Sequence, residues 1–220
     1  MKIAFYVSGN ALRLKKIFSV WEDNPNCFPE ALNAINLVVS DNHNPELKEI
    51  CNTFFVPYYE LIERKNFSNN LLKFLTDYEI DYLFLFAGRI LRGEILNKYH
   101  YKIINFHPSL LPSYKGLKAI DKALKQNDLV TGNTAHFITE NVDEGPYIMK
   151  SLQSLRPFKN YDYYMNDMVP MFFQIFYWLN QKRLFVKNNR VEIENATYEF
   201  GRFIPNLEID LKPFEFLSAK

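Results

Sequence analysis

IAFYVSGNALRLKKIFSV, residues 3–20, together with LVVS at residues 37–40, decides the fold. Ile3 to Val7 is a short unbroken apolar run, which predicts a strand covered on both faces. From about Ala11 to Val20 the apolar residues fall at helical spacing, and Leu37 to Ser40 is a second short apolar run. Strand, helix and strand make a βαβ unit. The alternation continues outward from it. A helix is expected at Pro45 to Asn52, a strand at Phe54 to Pro57, a helix at Ser68 to Tyr78 with Ser68 able to cap it, and a strand at Tyr82 to Ala87. Further strands are expected at Lys102 to Phe106 and Gly132 to Ile138. Doubly apolar strands alternating with helices imply a parallel sheet: an α/β fold, a Rossmann-like open sheet with helices on both faces. Ligands of such sheets sit at the carboxyl ends of the strands.

After Ser151 the texture changes. One long aromatic helix is expected over Asp162 to Gln181, then short strand-like pieces at Leu184 to Val186, Val191 to Ile193 and Thr197 to Tyr198, separated by turn-forming residues. The expected organisation is a catalytic α/β domain over residues 1–182 with a small β-hairpin extension over 183–220. The aromatic helix and hairpin offer more apolar surface than one core needs, which predicts a homodimer.

Composition narrows the functional class. Apolar residues make up 48% and charged residues 23%, with no low-complexity tract, so the chain is a folded globule. Formal net charge is +1 and the Lys and Arg residues are dispersed, which argues against a nucleic-acid partner and for small-molecule substrates. No apolar run reaches the roughly 18 residues of a membrane span. The start, MKIAFYVSGN, runs straight into the first strand and lacks the form of a signal peptide, so a cytoplasmic protein is expected. Cys27 and Cys51 have neither CxxC spacing nor a disulfide-framework count and read as plain thiols.

Of the four histidines, His107 has the setting suited to reaction. It follows the expected strand Lys102 to Phe106, and Pro108 and Pro112 stiffen the exit from it. Asn105, two residues earlier, shares its face if the strand runs that far. Asp143 stands in the later loop Asn141-Val-Asp-Glu-Gly-Pro, where a carboxylate near an imidazole would raise its basicity and fix its tautomer. From the residues alone a bland reading stands beside this one: strand-end Asn and His are often local hydrogen-bonders, and Asp ahead of Gly is often a turn residue.

The stretch INFHPSLLPSYKG, followed by ALKQND, TAHF and NVDEGPYIMK, resembles the superfamily of glycinamide ribonucleotide transformylase and methionyl-tRNA formyltransferase. The likeness is strongest over Tyr82 to Leu152. It implies an enzyme, an N-formyltransferase whose formyl donor is 10-formyltetrahydrofolate, with Asn105, His107 and Asp143 as catalytic residues. It further implies that protonated His107 and Asn105 stabilise the charge on the formyl oxygen, while Asp143 keeps His107 charged and accepts the amine proton through water. No metal is implied. The folate site it implies comprises Phe86, Arg89, Ile90 and Leu91, then Phe137 and the loop Thr139, Glu140, Asn141, Val142 and Asp143; a plain core role fits Phe86, Ile90, Leu91 and Phe137 equally. His136, beside that loop, reads as a buried structural residue.

The acceptor is read from two departures. Purine-pathway members carry a glycine-rich phosphate loop after the first strand; here Ser8, Gly9 and Asn10 are kept, but Leu12 and Arg13 would crowd a tight phosphate. Ala196-Thr197-Tyr198, Arg202, Pro205 and Glu208-Ile-Asp resemble a segment of tRNA and sugar formyltransferases. The basic barrel that grips tRNA is not expected here. The expected acceptor is therefore the primary amine of a nucleotide-linked amino deoxysugar, of the dTDP-4-amino-4,6-dideoxyglucose type, used for surface polysaccharide such as lipopolysaccharide O-antigen. Substrate contacts are expected from Ser8, Gly9, Asn10, Arg13, Ser109, Lys115 and Arg202. Three alternatives are phosphoribosylglycinamide formyltransferase of purine biosynthesis, a formyltetrahydrofolate hydrolase that releases formate to water and, from another class, a non-catalytic folate- or nucleotide-binding module.

Overall fold

Residues 1–218 are described by the computed structural model. They fall into two compact units, Met1–Asn105 and the part from Phe106 onward.

The first unit runs β1 (Ile3–Val7), α1 (Leu12–Asp23), α2 (Pro29–Ala34), β2 (Ile35–Ser40), α3 (Pro45–Thr53), β3 (Tyr58–Glu60), α4 (Phe67–Asp77), β4 (Tyr82–Phe86) and α5 (Glu94–Lys98), and ends in β5 (Ile103–His107). Its strands lie in the order β5-β4-β1-β2-β3, all parallel, as the apolar runs require. Every residue of β1 is fully buried. Helix α1 turns Leu14, Ile17, Phe18 and Trp21 inward, and Phe18 stacks on Phe54 with ring centroids 5.0 Å apart.

Two local expectations need correction. Residues 54–57 close α3 instead of forming a strand: the Phe54 and Val56 amides donate to the Ile50 and Cys51 carbonyls, and Phe55 is left-handed with φ 56°. The strand begins at Tyr58. Ser68 does not cap α4; its hydroxyl accepts from the Arg92 amide at 3.1 Å, and left-handed Asn66 precedes the helix.

The second unit runs α6 (Ala119–Lys125), β6 (Val130–Phe137), β7 (Tyr147–Ser154), α7 (Tyr161–Met165), α8 (Met168–Asn180), β8 (Leu184–Lys187), β9 (Arg190–Ile193), β10 (Phe203–Ile204) and a 3-10 helix over Lys212–Ser218. Here the sheet is antiparallel: β7 pairs with β6 on one side and β10 on the other. The expectation of a wholly parallel sheet thus holds only for the first unit, because β6 and β7 are joined by a loop with no crossover helix.

The long aromatic helix is two helices. Pro170 sits in the first turn of α8, where its missing N–H has no intrahelical acceptor to lose, and an unbroken helix would have put it in the interior. Strands β8 and β9 form the expected hairpin. Thr197–Tyr198 is not a strand; Asn206 pins that loop by accepting from the Glu199 amide and donating to the Glu199 carbonyl. Among the described residues no helix is long and apolar enough to cross a membrane.

Candidate active site

Strand β5 extends to His107, so alternation puts Asn105 and His107 on one side of it, Asn105 half-buried and His107 only 6% exposed. In the second unit the His107 Nδ1 stands 3.5 Å from Asp143 Oδ2, and its Nε2 donates to the Tyr114 carbonyl at 2.9 Å. That carbonyl is fixed by its own side chain, which packs on the cluster of Ile120, Ala123, Leu155 and Tyr164 and donates from its hydroxyl to Asp128 at 2.6 Å.

Asp143 is 8% exposed and left-handed, with φ 56°. Non-glycine residues hold that conformation at a cost, and such strain concentrates where a side chain must be aimed. Here it aims a carboxylate at three groups: His107, the Gly116 amide, which donates to Oδ2 at 2.7 Å, and His136, whose Nε2 is 3.6 Å from Oδ1. The loop closes tightly because residue 145 is glycine; a Cβ there would lie 1.7 Å from the Phe137 carbonyl oxygen. Opposite the step from Ala135 to His136, β7 carries one extra residue, Ile148, a bulge that bends β7 where it leaves the Asp143 loop.

Burial pushes the Asp143 carboxyl up, but the His136 bond, the Gly116 amide and the charges of His107 and His136 outweigh it and hold the group at about 2. It is a carboxylate at neutral pH. His107 is drawn below the ordinary imidazole range: burial lowers it more than the Tyr114 carbonyl and the Asp143 charge raise it, with His136 and Lys122 lowering it further. Burial thus favours the neutral form of the resting ring. A buried, neutral imidazole against a fixed carboxylate can take a proton as negative charge grows beside it.

The comparisons with known proteins bear on this geometry. Residues 1–167, which include the whole His107–Asp143 arrangement, match the family model described as formyl transferase. The chain belongs to the formyl transferase family. It is 43% identical over 89 residues to the Homo sapiens trifunctional purine biosynthetic protein adenosine-3, a match covering 40% of this chain and 9% of that protein. It is 33% identical over 154 residues to the phosphoribosylglycinamide formyltransferase of Haemophilus influenzae, covering 64% of this chain and 69% of that one. Among solved structures, glycinamide ribonucleotide transformylase 1 from Symbiobacterium toebii superposes with a TM-score of 0.76 at 25% identity, covering 88% of this chain and 93% of that one.

The other expected site residues divide between the units. In the first, Ser8 Oγ donates to Asp41 Oδ2 at 2.9 Å, as does the Tyr6 hydroxyl at 2.8 Å. The Arg89 Nε lies 3.6 Å from the same oxygen, and its guanidinium lies 4.1 Å over the Phe67 ring. Gly9 and Asn10 are exposed; the Gly9 carbonyl accepts from Asn42 and Asn44, and Asn10 Oδ1 accepts from the Leu12 amide. Ala11 holds φ 52°, so the loop keeps a glycine-like backbone without the glycine. Arg13 is half-buried on α1. Phe86, stacked 6.0 Å from Phe5, and Leu91 are buried core residues, while Ile90 is 49% exposed.

In the second unit Phe137 is core, whereas Glu140, Asn141 and Val142 are exposed, and Thr139 donates to the Asn141 carbonyl. Ser109 is 1% exposed and donates to the Ser113 carbonyl at 2.6 Å, so it braces its loop from within instead of lining a groove. Lys115 pairs with Glu144 at 2.7 Å. Arg202 donates twice to buried Asp167, at 2.5 and 3.2 Å, clamping the chain before β10 to the start of α8, and lies outside the matched residues. Two partners of the site escaped the sequence reading, the Tyr114 carbonyl and the Gly116 amide. Main-chain groups leave no mark in residue type; the one available signal was Gly116, which holds φ 74°.

Proposed function

We propose that this chain moves a formyl group from 10-formyltetrahydrofolate to a primary amine, and that the amine is that of glycinamide ribonucleotide. The observation that carries the transfer chemistry is the ionised Asp143 held against the buried His107 imidazole. The neutral amine attacks the formyl carbon, and negative charge develops on the formyl oxygen. Asn105 offers an amide N–H to it. His107, with its charge balanced by Asp143, takes the proton that the attacking amine releases, and the same proton then passes by way of water to N10 of the folate, which departs as tetrahydrofolate.

Three things favour glycinamide ribonucleotide. The relatives named above are, by their names, a trifunctional purine biosynthetic protein and a phosphoribosylglycinamide formyltransferase. Ala11 supplies the left-handed turn that the phosphate loop needs, which removes part of the objection raised by the missing glycines. Arg202, a reason for preferring a sugar nucleotide, has its Nε and Nη2 engaged by Asp167.

A second reading, a nucleotide-linked amino sugar, is favoured by one feature. Tyr198 and Phe200 are 59% and 95% exposed on a loop pinned by Asn206, a rigid aromatic surface suited to stacking on a base. Tetrahydrofolate release, followed by absorbance, separates the readings when glycinamide ribonucleotide and a panel of nucleotide-linked amino sugars are run in parallel. Turnover with glycinamide ribonucleotide alone is expected. Turnover only with an amino sugar would transfer the assignment to the second reading, and donor consumption with neither amine would end both.

A further inference from the structure

The Asp143 carboxylate has an imidazole at each oxygen. His107 Nδ1 faces Oδ2 at 3.5 Å, and His136 Nε2 faces Oδ1 at 3.6 Å. The far nitrogen of each ring is engaged by a backbone carbonyl, Tyr114 for His107 at 2.9 Å and Phe137 for His136 at 3.0 Å. A carbonyl oxygen only accepts, so each far nitrogen must carry its proton. A neutral imidazole has one N–H, and here it is spent on the carbonyl. Each neutral ring therefore turns a lone pair toward the carboxylate, and only the charged form can donate to it. Two buried imidazoles, 8% and 2% exposed in their side chains, meet one negative charge. The first proton to arrive satisfies Asp143; a second would put like charges on either side of one carboxylate in a poorly solvated place.

We propose that His136 is a positioning residue that acts through Asp143, its charged form holding Oδ1 so that Oδ2 faces His107. This rests on the formyl-transfer reading of the site. The irregular pairing there, with His136 opposite Tyr147 and Ile148 of β7 left over, bends β7 just after the loop that carries Asp143 and so supports it. So does the left-handed Asp143, whose carboxylate is fixed by contacts on both oxygens and by the Gly116 amide. The other charged groups about the cluster are Lys122 of α6, which bears on His107, and the Lys115–Glu144 pair, of which Lys115 senses Asp143 and Tyr147.

The test is a pH titration of the imidazole carbon-bound protons by NMR in the whole chain, wild type against His136→Gln, with His107→Gln to assign the signals. Glutamine can still donate to Oδ1 but cannot take the charge. The His107 midpoint is expected to rise by about half to one pH unit in His136→Gln, since a competing cation is gone. The acidic limb of kcat should move with it, with KM for the formyl donor within about twofold of wild type. His136→Ala, which removes the contact as well, should lower kcat about tenfold or more. A purely structural histidine would leave the His107 titration curve in place, and superimposable curves in a folded His136→Gln variant overturn the proposal. Should that variant not fold, His136→Asn takes its place, and an unmoved His107 titration curve in it refutes the proposal. None of the NMR results needs an acceptor. A shifted titration without turnover on any amine would count against the transfer reading while leaving the coupling of the two histidines intact.

Discussion

Each unit gathers donors around one carboxylate, and the two gatherings differ in kind. In the first unit Asp41 Oδ2 receives the Tyr6 and Ser8 hydroxyls and lies near the Arg89 guanidinium. In the second, Asp143 receives a backbone amide and stands between two imidazoles. A guanidinium stays charged across the working pH range, so the Asp41 cluster is a permanent clasp tying β1, the end of β2 and the segment after β4. Imidazoles change charge near neutrality, so the Asp143 cluster can answer to pH and to charge arising on a substrate. The same acceptor geometry serves as anchor or as chemistry according to whether its cation titrates.

The largest effect that this contrast predicts is on activity. Asp143→Asn keeps the shape of the loop but removes the charge that lets His107 become an imidazolium. Its kcat should fall by about 10²- to 10⁴-fold, while Asp41→Asn should stay within about tenfold of wild type. Initial rates at saturating donor check both, and equal losses in the two variants would erase the distinction. Asp143→Asn also bears on stability. Because the folded carboxyl is lowered from 3.8 to about 2, its contribution is present in full above pH 4 and is lost as pH falls toward 2. The whole of it is about 2 kcal/mol, with part of the group's exposure reducing that figure.

The next effect is steric and also falls in the second unit. Gly145→Ala would drive a Cβ into the Phe137 carbonyl, where the obstacle is backbone and cannot swing aside. A loss of about 2–4 kcal/mol is expected, read as a lower urea midpoint with the m-value unchanged. Activity should fall more than the folded fraction explains, because the displaced loop carries Asp143. Retained kcat in a destabilised protein would mean that the loop tolerates movement which the left-handed Asp143 implies it does not.

How far the sequence foretold this contrast follows from what kind of signal each part carries. Strands β1, β2, β4 and β5 were legible because buried parallel strands are continuous apolar runs. Strand β7 was not, since YIMKSLQS alternates and its neighbours gave no helix to frame it. His107 and Asp143 stood out by residue type and by family likeness together. His136 read as a core histidine because nothing in TAHF shows that Asp143 lies against it. The Asp41 clasp was invisible for the opposite reason: Tyr6 sits inside an apolar run, and Arg89 was read as part of the folate segment. Charge partners far apart in sequence come into view only when strand order is known, and the order β4-β1-β2 is what places Arg89, Ser8 and Asp41 at one end of the sheet.

The smallest predicted effect sharpens the comparison most. Arg89→Leu removes the permanent cation from Asp41 but leaves both hydroxyl donors and the packing over Phe67, so the loss should be about 1–2 kcal/mol. What matters is its shape against pH. With no titrating partner at Asp41, the difference in unfolding midpoint between Arg89→Leu and wild type should be flat from pH 5.5 to 8. The same difference for His107→Gln should change across that interval, as the imidazoles about Asp143 change charge. Thermal melts at four or five pH values give both curves. A slope in the Arg89 series would mean that the clasp also contains a titrating group and that the two carboxylates are not different in kind; a flat His107 series would mean that Asp143 is an anchor as well, and the proton-responsive role would have to be found elsewhere in the fold.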